Sequence, residues 1–136
     1  GNGIAALALN RLGCLLGEPR YLEAAERAVR SAMPALRRTP WLHCALLDAL
    51  EEQVTPPEIV IVRGTGRRPA EWARTARLVY APRRLVLEIP ADATGLPASL
   101  AEKTPPESGA RAWICRGTTC LPPVDPLSGF TTALKG

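Results

Sequence analysis

The sequence predicts an α/β chain in which helices come first and a small three-stranded, parallel βαβαβα unit follows. Three observations lead there. Up to about residue 54 the apolar residues recur at helical spacing. From Glu58 onward three short apolar runs, "EIVIV", "RRLVLEI" and "ARAWIC", alternate with helix-like stretches. Between the two patterns stands "TPP", Thr55 to Pro57, where the periodicity changes and the chain divides into 1–54 and 58–136.

The first helix is expected over Ile4 to Leu16, apolar nearly all round as in a helix packed on several sides, with Asn2 as its N-cap. Gly17 ends it and Pro19 opens the next, from about Arg20 to Met33. Leu22, Ala25, Val29 and Met33 form the second helix's apolar stripe, while Glu23, Glu26, Arg27 and Arg30 face water. Pro34 and Pro40 bracket a break. A third helix, Trp41 to Gln53, carries Leu42, Leu46, Leu47 and Leu50 on its apolar face; Glu51 and Glu52 read as solvated, and Asp48 as the acid nearest that face. An opening without Met, at a helix cap, leads to the expectation that the chain is a segment of a longer protein.

In the second half "EIVIV" (Glu58 to Val62) has the β-branched density of a buried parallel strand. Ala70 to Val79 reads as the helix that follows it, "RRLVLEI" (Arg83 to Ile89) as the second strand and "LPASLAEK" as a short helix. "ARAWIC" (Ala110 to Cys115) is the third strand, and Asp125-Pro126 caps a last helix. If all three strands are parallel, their carboxyl ends share one edge. That edge would gather Arg63 to Gly66, Pro90 to Asp92 and Cys115 to Gly117.

Composition narrows the function classes. Apolar content of 46% and charged content of 22% are those of a globular chain and exclude a disordered one. The net charge of +4 arises from 15 Arg and 2 Lys against 13 acids, but the arginines are scattered and no aromatics alternate with them to stack bases. No nucleic-acid partner is expected. The most apolar stretch, Ile4 to Leu16, is short and carries Asn10 and Arg11, so no membrane partner is expected either. Four cysteines are too few for a secreted disulfide scaffold, and no basic-then-apolar leader is present; the expected location is cytoplasmic.

The chemistry-bearing stretch is "AWICRGTTCLPPVDP". Cys115 and Cys120 are a candidate redox pair, because four intervening residues with a glycine can bring two Cα atoms within disulfide range. Arg116, Arg63 and Arg67 are the candidate cations that would stabilise a Cys115 thiolate at the shared strand edge. Spacing alone leaves a dithiol and inert packing both open. A metal is not expected: His43 and Cys44 are helix neighbours about 100° apart, and zinc needs four ligands. "VRGTGRRP" holds Gly-x-Gly between a strand and a helix but has Pro69 where the dinucleotide fingerprint needs glycine; it reads as a tight turn, and no cofactor is expected. No catalytic set is complete.

Four features, "GNGIAALALNRLGCLLGEPRYLEAAE", the third helix, "EIVIVRG" and "AWICRGTTCLPPV", in this order resemble the C-terminal end of the spermatogenesis-associated protein 20 family of thioredoxin-domain-containing proteins, with its bacterial YyaL-type relatives. The matching positions are Gly1-Asn2-Gly3, Tyr21, Ala25, Cys115, Cys120 and Pro123; "RGTT" departs from the family's Asn-aromatic pair. The resemblance implies that residues 1–54 are the last helices of an (α/α)₆ toroid of the six-hairpin glycosidase and epimerase kind. Residues 58–136 would be its C-terminal α/β appendage. The implied partners are the rest of the same protein, namely the upstream thioredoxin-like domain and the toroid, with a sugar as substrate of the whole; this stretch alone should not turn over sugars. In one reading Cys115 attacks and Cys120 resolves a mixed disulfide. In the other the chain is a structural cap whose cysteines pack or staple.

Overall fold

A computed structural model describes residues 1–136, which divide into two compact units, Gly1–Pro57 and Glu58–Gly136. The first is all helical. Helix α1 (Asn2–Leu16) ends at Gly17, whose left-handed φ of 65° lets its N–H cap the Gly13 carbonyl. Pro19 then starts α2 (Pro19–Arg38), so the two form a tight antiparallel hairpin. A 3₁₀ turn (Pro40–Leu42) precedes α3 (Cys44–Val54). A Cβ on Gly3 would meet the Ala45–Leu46 backbone at 2.8 Å, and Arg11 pairs with Glu52, so α1 and α3 run side by side in the same direction. Ala6, Val29, Leu36, Leu46 and Ala49 fill the core between the three helices.

Several helical expectations are corrected here. Gly1, not Asn2, is the N-cap of α1. Pro34 lies inside α2 and does not end it; the helix continues four residues on to bury Leu36, and on this exposed side the Arg30 carbonyl that Pro34 leaves without a helical donor can turn to water. Leu42 is exposed in the 3₁₀ turn, Leu47 is exposed, and Asp48 faces solvent. The buried face of α3 is Leu46, Ala49 and Glu52. Glu52 is only 3% exposed, and its carboxylate accepts from Arg11 Nε at 3.0 Å and Nη2 at 2.5 Å. Arg11, the one charged residue of α1, is the residue that makes this burial tolerable.

The second unit is α/β. Its sheet has four strands in the order β2-β1-β3-β4, with β1 Glu58–Gly64, β2 Arg84–Pro90, β3 Ala110–Arg116 and β4 Thr119–Cys120. Helix α4 (Arg68–Leu78) makes the crossover that keeps β1 and β2 parallel. The expectation of three parallel strands fails at β3, which is antiparallel to β1. The connection from β2 contains one helical turn, α5 (Ala98–Ala101), and no helix that runs the length of the sheet. The chain re-enters the sheet at the edge where it left, with Ala110 opposite Gly64. Gly64 is required there, since any Cβ would collide with the Gly109 carbonyl. Helix α6 (Leu127–Leu134) closes the unit: Phe130 stacks on Trp72 at 5.1 Å over a core of Val60, Val62, Ala112 and Ile114. Arg84 ties the elements together, pairing with Glu58 at 2.6 Å and donating to the carbonyls of Ala76 and Leu134 at 3.0 and 2.9 Å.

Candidate redox site on the edge hairpin

Side chains alternate along β3, so Ala112 and Ile114 enter the helix-covered core while Arg111, Trp113 and Cys115 take the other face. After Arg116 the chain reverses through Gly117-Thr118, a two-residue loop whose first position has φ 59°. Only glycine adopts that conformation without cost. Arg116 then faces Thr119, and the next pair out is Cys115 facing Cys120. The Cys-x₄-Cys spacing is thus the spacing of a two-residue hairpin. The two cysteines form a disulfide, with their Cα atoms 3.8 Å apart.

The two halves of this disulfide live in different surroundings. Cys115 is 4% exposed, in register with buried Ile59 and two residues from buried Trp113; Cys120 is exposed on the short edge strand. Beyond it Leu121 N–H donates to Ile114 O, and Ala112 and Val124 exchange both backbone hydrogen bonds. The segment after the hairpin is therefore held to β3 independently of the sulfurs.

None of the three arginines expected beside the thiolate is there. Arg116 alternates to the opposite face of the sheet, where its guanidinium lies 3.7 Å from Glu58. Arg63 stands at the far end of β1, opposite Arg111, four residues and about 13 Å from the Ile59–Cys115 pair. Its guanidinium is buried and donates to the carbonyls of Lys103, Pro90 and Ala91, so its work is to pin the connection from β2 to β3. Arg67 is the N-cap of α4, beyond that same far end. The antiparallel direction of β3 is the reason for all this distance: it turns Cys115 away from the edge where β1 and β2 end.

The remaining candidates are dispersed. His43 occupies the N-cap position of α3 without a side-chain capping bond. Asp125 does not cap α6; it accepts from Arg111, which holds its carboxyl below the usual 3.8. Of the other cysteines Cys44 is exposed, and burial pushes the Cys14 thiol up, with the nearby Glu52 charge adding to it. No three His, Cys, Asp or Glu side chains come together as a metal would require. The "VRGTGRRP" stretch is the β1–α4 turn, with Pro69 in the first turn of α4. No helix is long and apolar enough to cross a membrane. No family model, curated protein or solved structure matches the chain.

Proposed function

We propose that the second unit carries an exchangeable disulfide, Cys115–Cys120, and that Cys120 is the sulfur through which a partner dithiol enters. The observation that carries this is the asymmetry of the pair, one cysteine exposed on an edge strand and the other buried behind it. A partner thiolate attacks Cys120 Sγ in line with the S–S bond; the bond breaks and Cys115 leaves as a thiolate that takes a proton from water. The partner's second thiolate then displaces Cys120 from the mixed disulfide. The partner becomes a disulfide, Cys115 and Cys120 become thiols, and two electrons have moved. Oxidation runs the same steps backward. These roles invert the sequence expectation, in which Cys115 attacked.

In this reading the partner is the upstream thioredoxin-like domain of a spermatogenesis-associated protein 20 or YyaL-type protein, of which the chain is the C-terminal part. The same-direction packing of α1 and α3, with α2 antiparallel beside them, supports residues 1–54 as the last helices of an α/α toroid. A cytoplasmic setting belongs to the same reading, since lasting structural disulfides are rare there and exchanging ones are not.

The test uses a background lacking Cys14 and Cys44. With glutathione disulfide as probe, reduced Cys115→Ser should form a stable mixed disulfide through Cys120, while Cys120→Ser should form none in the native state. Equal labelling of both variants contradicts the assignment. The second reading is a structural cap with a stapled hairpin. The burial of Cys115 beside Ile59 favours it, because a leaving thiolate gains no cation there. It expects the intact Cys115–Cys120 pair to resist a dithiol until the unit unfolds.

A further inference from the structure

Helix α4 and its N-cap carry Arg67, Arg68, Arg74 and Arg77 against a single acid, Glu71. Most arginines outside α4 come with partners: Arg27 and Arg30 on α2 pair with Glu23 and Glu26 four residues back, Arg84 and Arg116 share Glu58, and Arg111 holds Asp125; Arg37 and Arg38, at the end of α2, form no ion pair. Arg67, Arg68 and Arg74 are exposed and form no ion pair.

Their placement is unfavourable for the helix itself. Arg67 and Arg68 occupy the N-cap and first helical position of α4, next to the positive end of its dipole, where acids are preferred. Local rules broken without a local gain mark positions shaped by something else. Arg67, Arg74 and Leu78 lie within about 40° of one another around the helix, with the two arginines about 10 Å apart along it. Leu78 is 75% exposed and Tyr80, just past the helix end, 90%. Around Tyr80 opens a hollow of about 270 Å³ lined by Ala76, Val79, Pro82 and Val86 together with Arg77 and Arg84. A cationic stripe thus runs into a hollow with an apolar wall and two arginines on the flank of β2.

We propose that the outer face of α4 docks an acidic protein segment, its carboxylates on Arg67 and Arg74 and one apolar side chain anchored at the Tyr80 hollow. Charge complementarity selects an anionic partner, and the apolar wall of Ala76, Val79, Pro82 and Val86 favours one with a side chain to bury, as a polypeptide has; Tyr80 is a lone aromatic where base stacking uses several.

The probe is a short fluorescein-labelled peptide of Asp and Glu around one central Phe, followed by anisotropy with the full chain. Saturable binding is expected that weakens with salt. It should fall at least about tenfold in the Arg67→Glu/Arg74→Glu variant and again when the peptide's Phe becomes Ser. Arg67→Glu puts an acid at the helix start, so folding is not at risk. Arg37→Glu/Arg38→Glu, which makes the same change in net charge on α2, should leave binding unchanged. Absence of binding, or equal loss in both double variants, overturns the proposal. Tighter binding to a single-stranded oligonucleotide or to phosphatidylserine vesicles overturns the choice of a protein partner.

Discussion

Replacing Arg84 with Met should make the second unit unfold more readily. The Arg84 side chain is 5% exposed, and it satisfies Glu58 together with the end carbonyls of α4 and α6. Removing one partner of a buried pair costs about 3–5 kcal/mol, because the remaining carboxylate stays desolvated. Arg116, 3.7 Å from the same carboxylate, offsets part of this, which places the loss near 3 kcal/mol. Against a stability of about 5–15 kcal/mol that is a large fraction. In a Trp41→Phe background the remaining fluorescence comes from Trp72 and Trp113, both in the second unit. The urea midpoint should then drop by about 2 M at an m-value of about 1.5 kcal/mol/M. Arg84→Lys should recover less than half, since an ammonium keeps the charge and loses the fork. A loss below about 1 kcal/mol for Arg84→Met would show that the node is not what joins these elements.

Three further outcomes follow from the geometry. Iodoacetamide at mildly alkaline pH should label exposed Cys44 well before Cys14, whose thiol burial pushes up, and peptide mass spectrometry reads the order. The Asp125 carboxyl should titrate below 3.8 by NMR and return toward it in Arg111→Gln. Because its folded-state pKa lies below the unfolded one, the pair's contribution is complete above about pH 4 and disappears as pH falls through the depressed value, leaving neutral pH unaffected. Gly3→Ala should lower the melting temperature of the helical unit, because its Cβ would sit 2.8 Å from the Ala45–Leu46 backbone; an unchanged value would mean that α1 and α3 are free to separate.

The strands were legible because β-branched runs such as Ile59 to Val62 have few other uses, and the helices because their stripes repeat. The direction of β3 was not legible, because the 19 residues between Pro90 and Ala110 are long enough for a crossover as well as for a return at the same edge. Gly117 after a strand announces a two-residue hairpin, and with it the facing of Cys115 and Cys120. Reading the strands as parallel brought Arg63 and Arg67 to the cysteines, and one wrong direction misplaced the whole candidate site. Glu52 was hidden for a different reason. A buried acid looks solvated in its own helix, and its partner Arg11 is 41 residues away. The clustering of unpaired arginines on α4 was equally hidden, because only partners supplied elsewhere reveal which charges remain.

The central claim is that Cys115–Cys120 exchanges in the folded chain. It is tested most directly by following reduction with a dithiol in native buffer, using mass to count thiols and tryptophan emission to report folding. The account predicts that the pair opens while emission stays native, held by the Ala112–Val124 bridge and the core under α6. The closed ring spans only six residues, so stability should fall by about 2 kcal/mol and no more. A pair that opens only at denaturant concentrations that also unfold the second unit would contradict it and leave the disulfide as a staple.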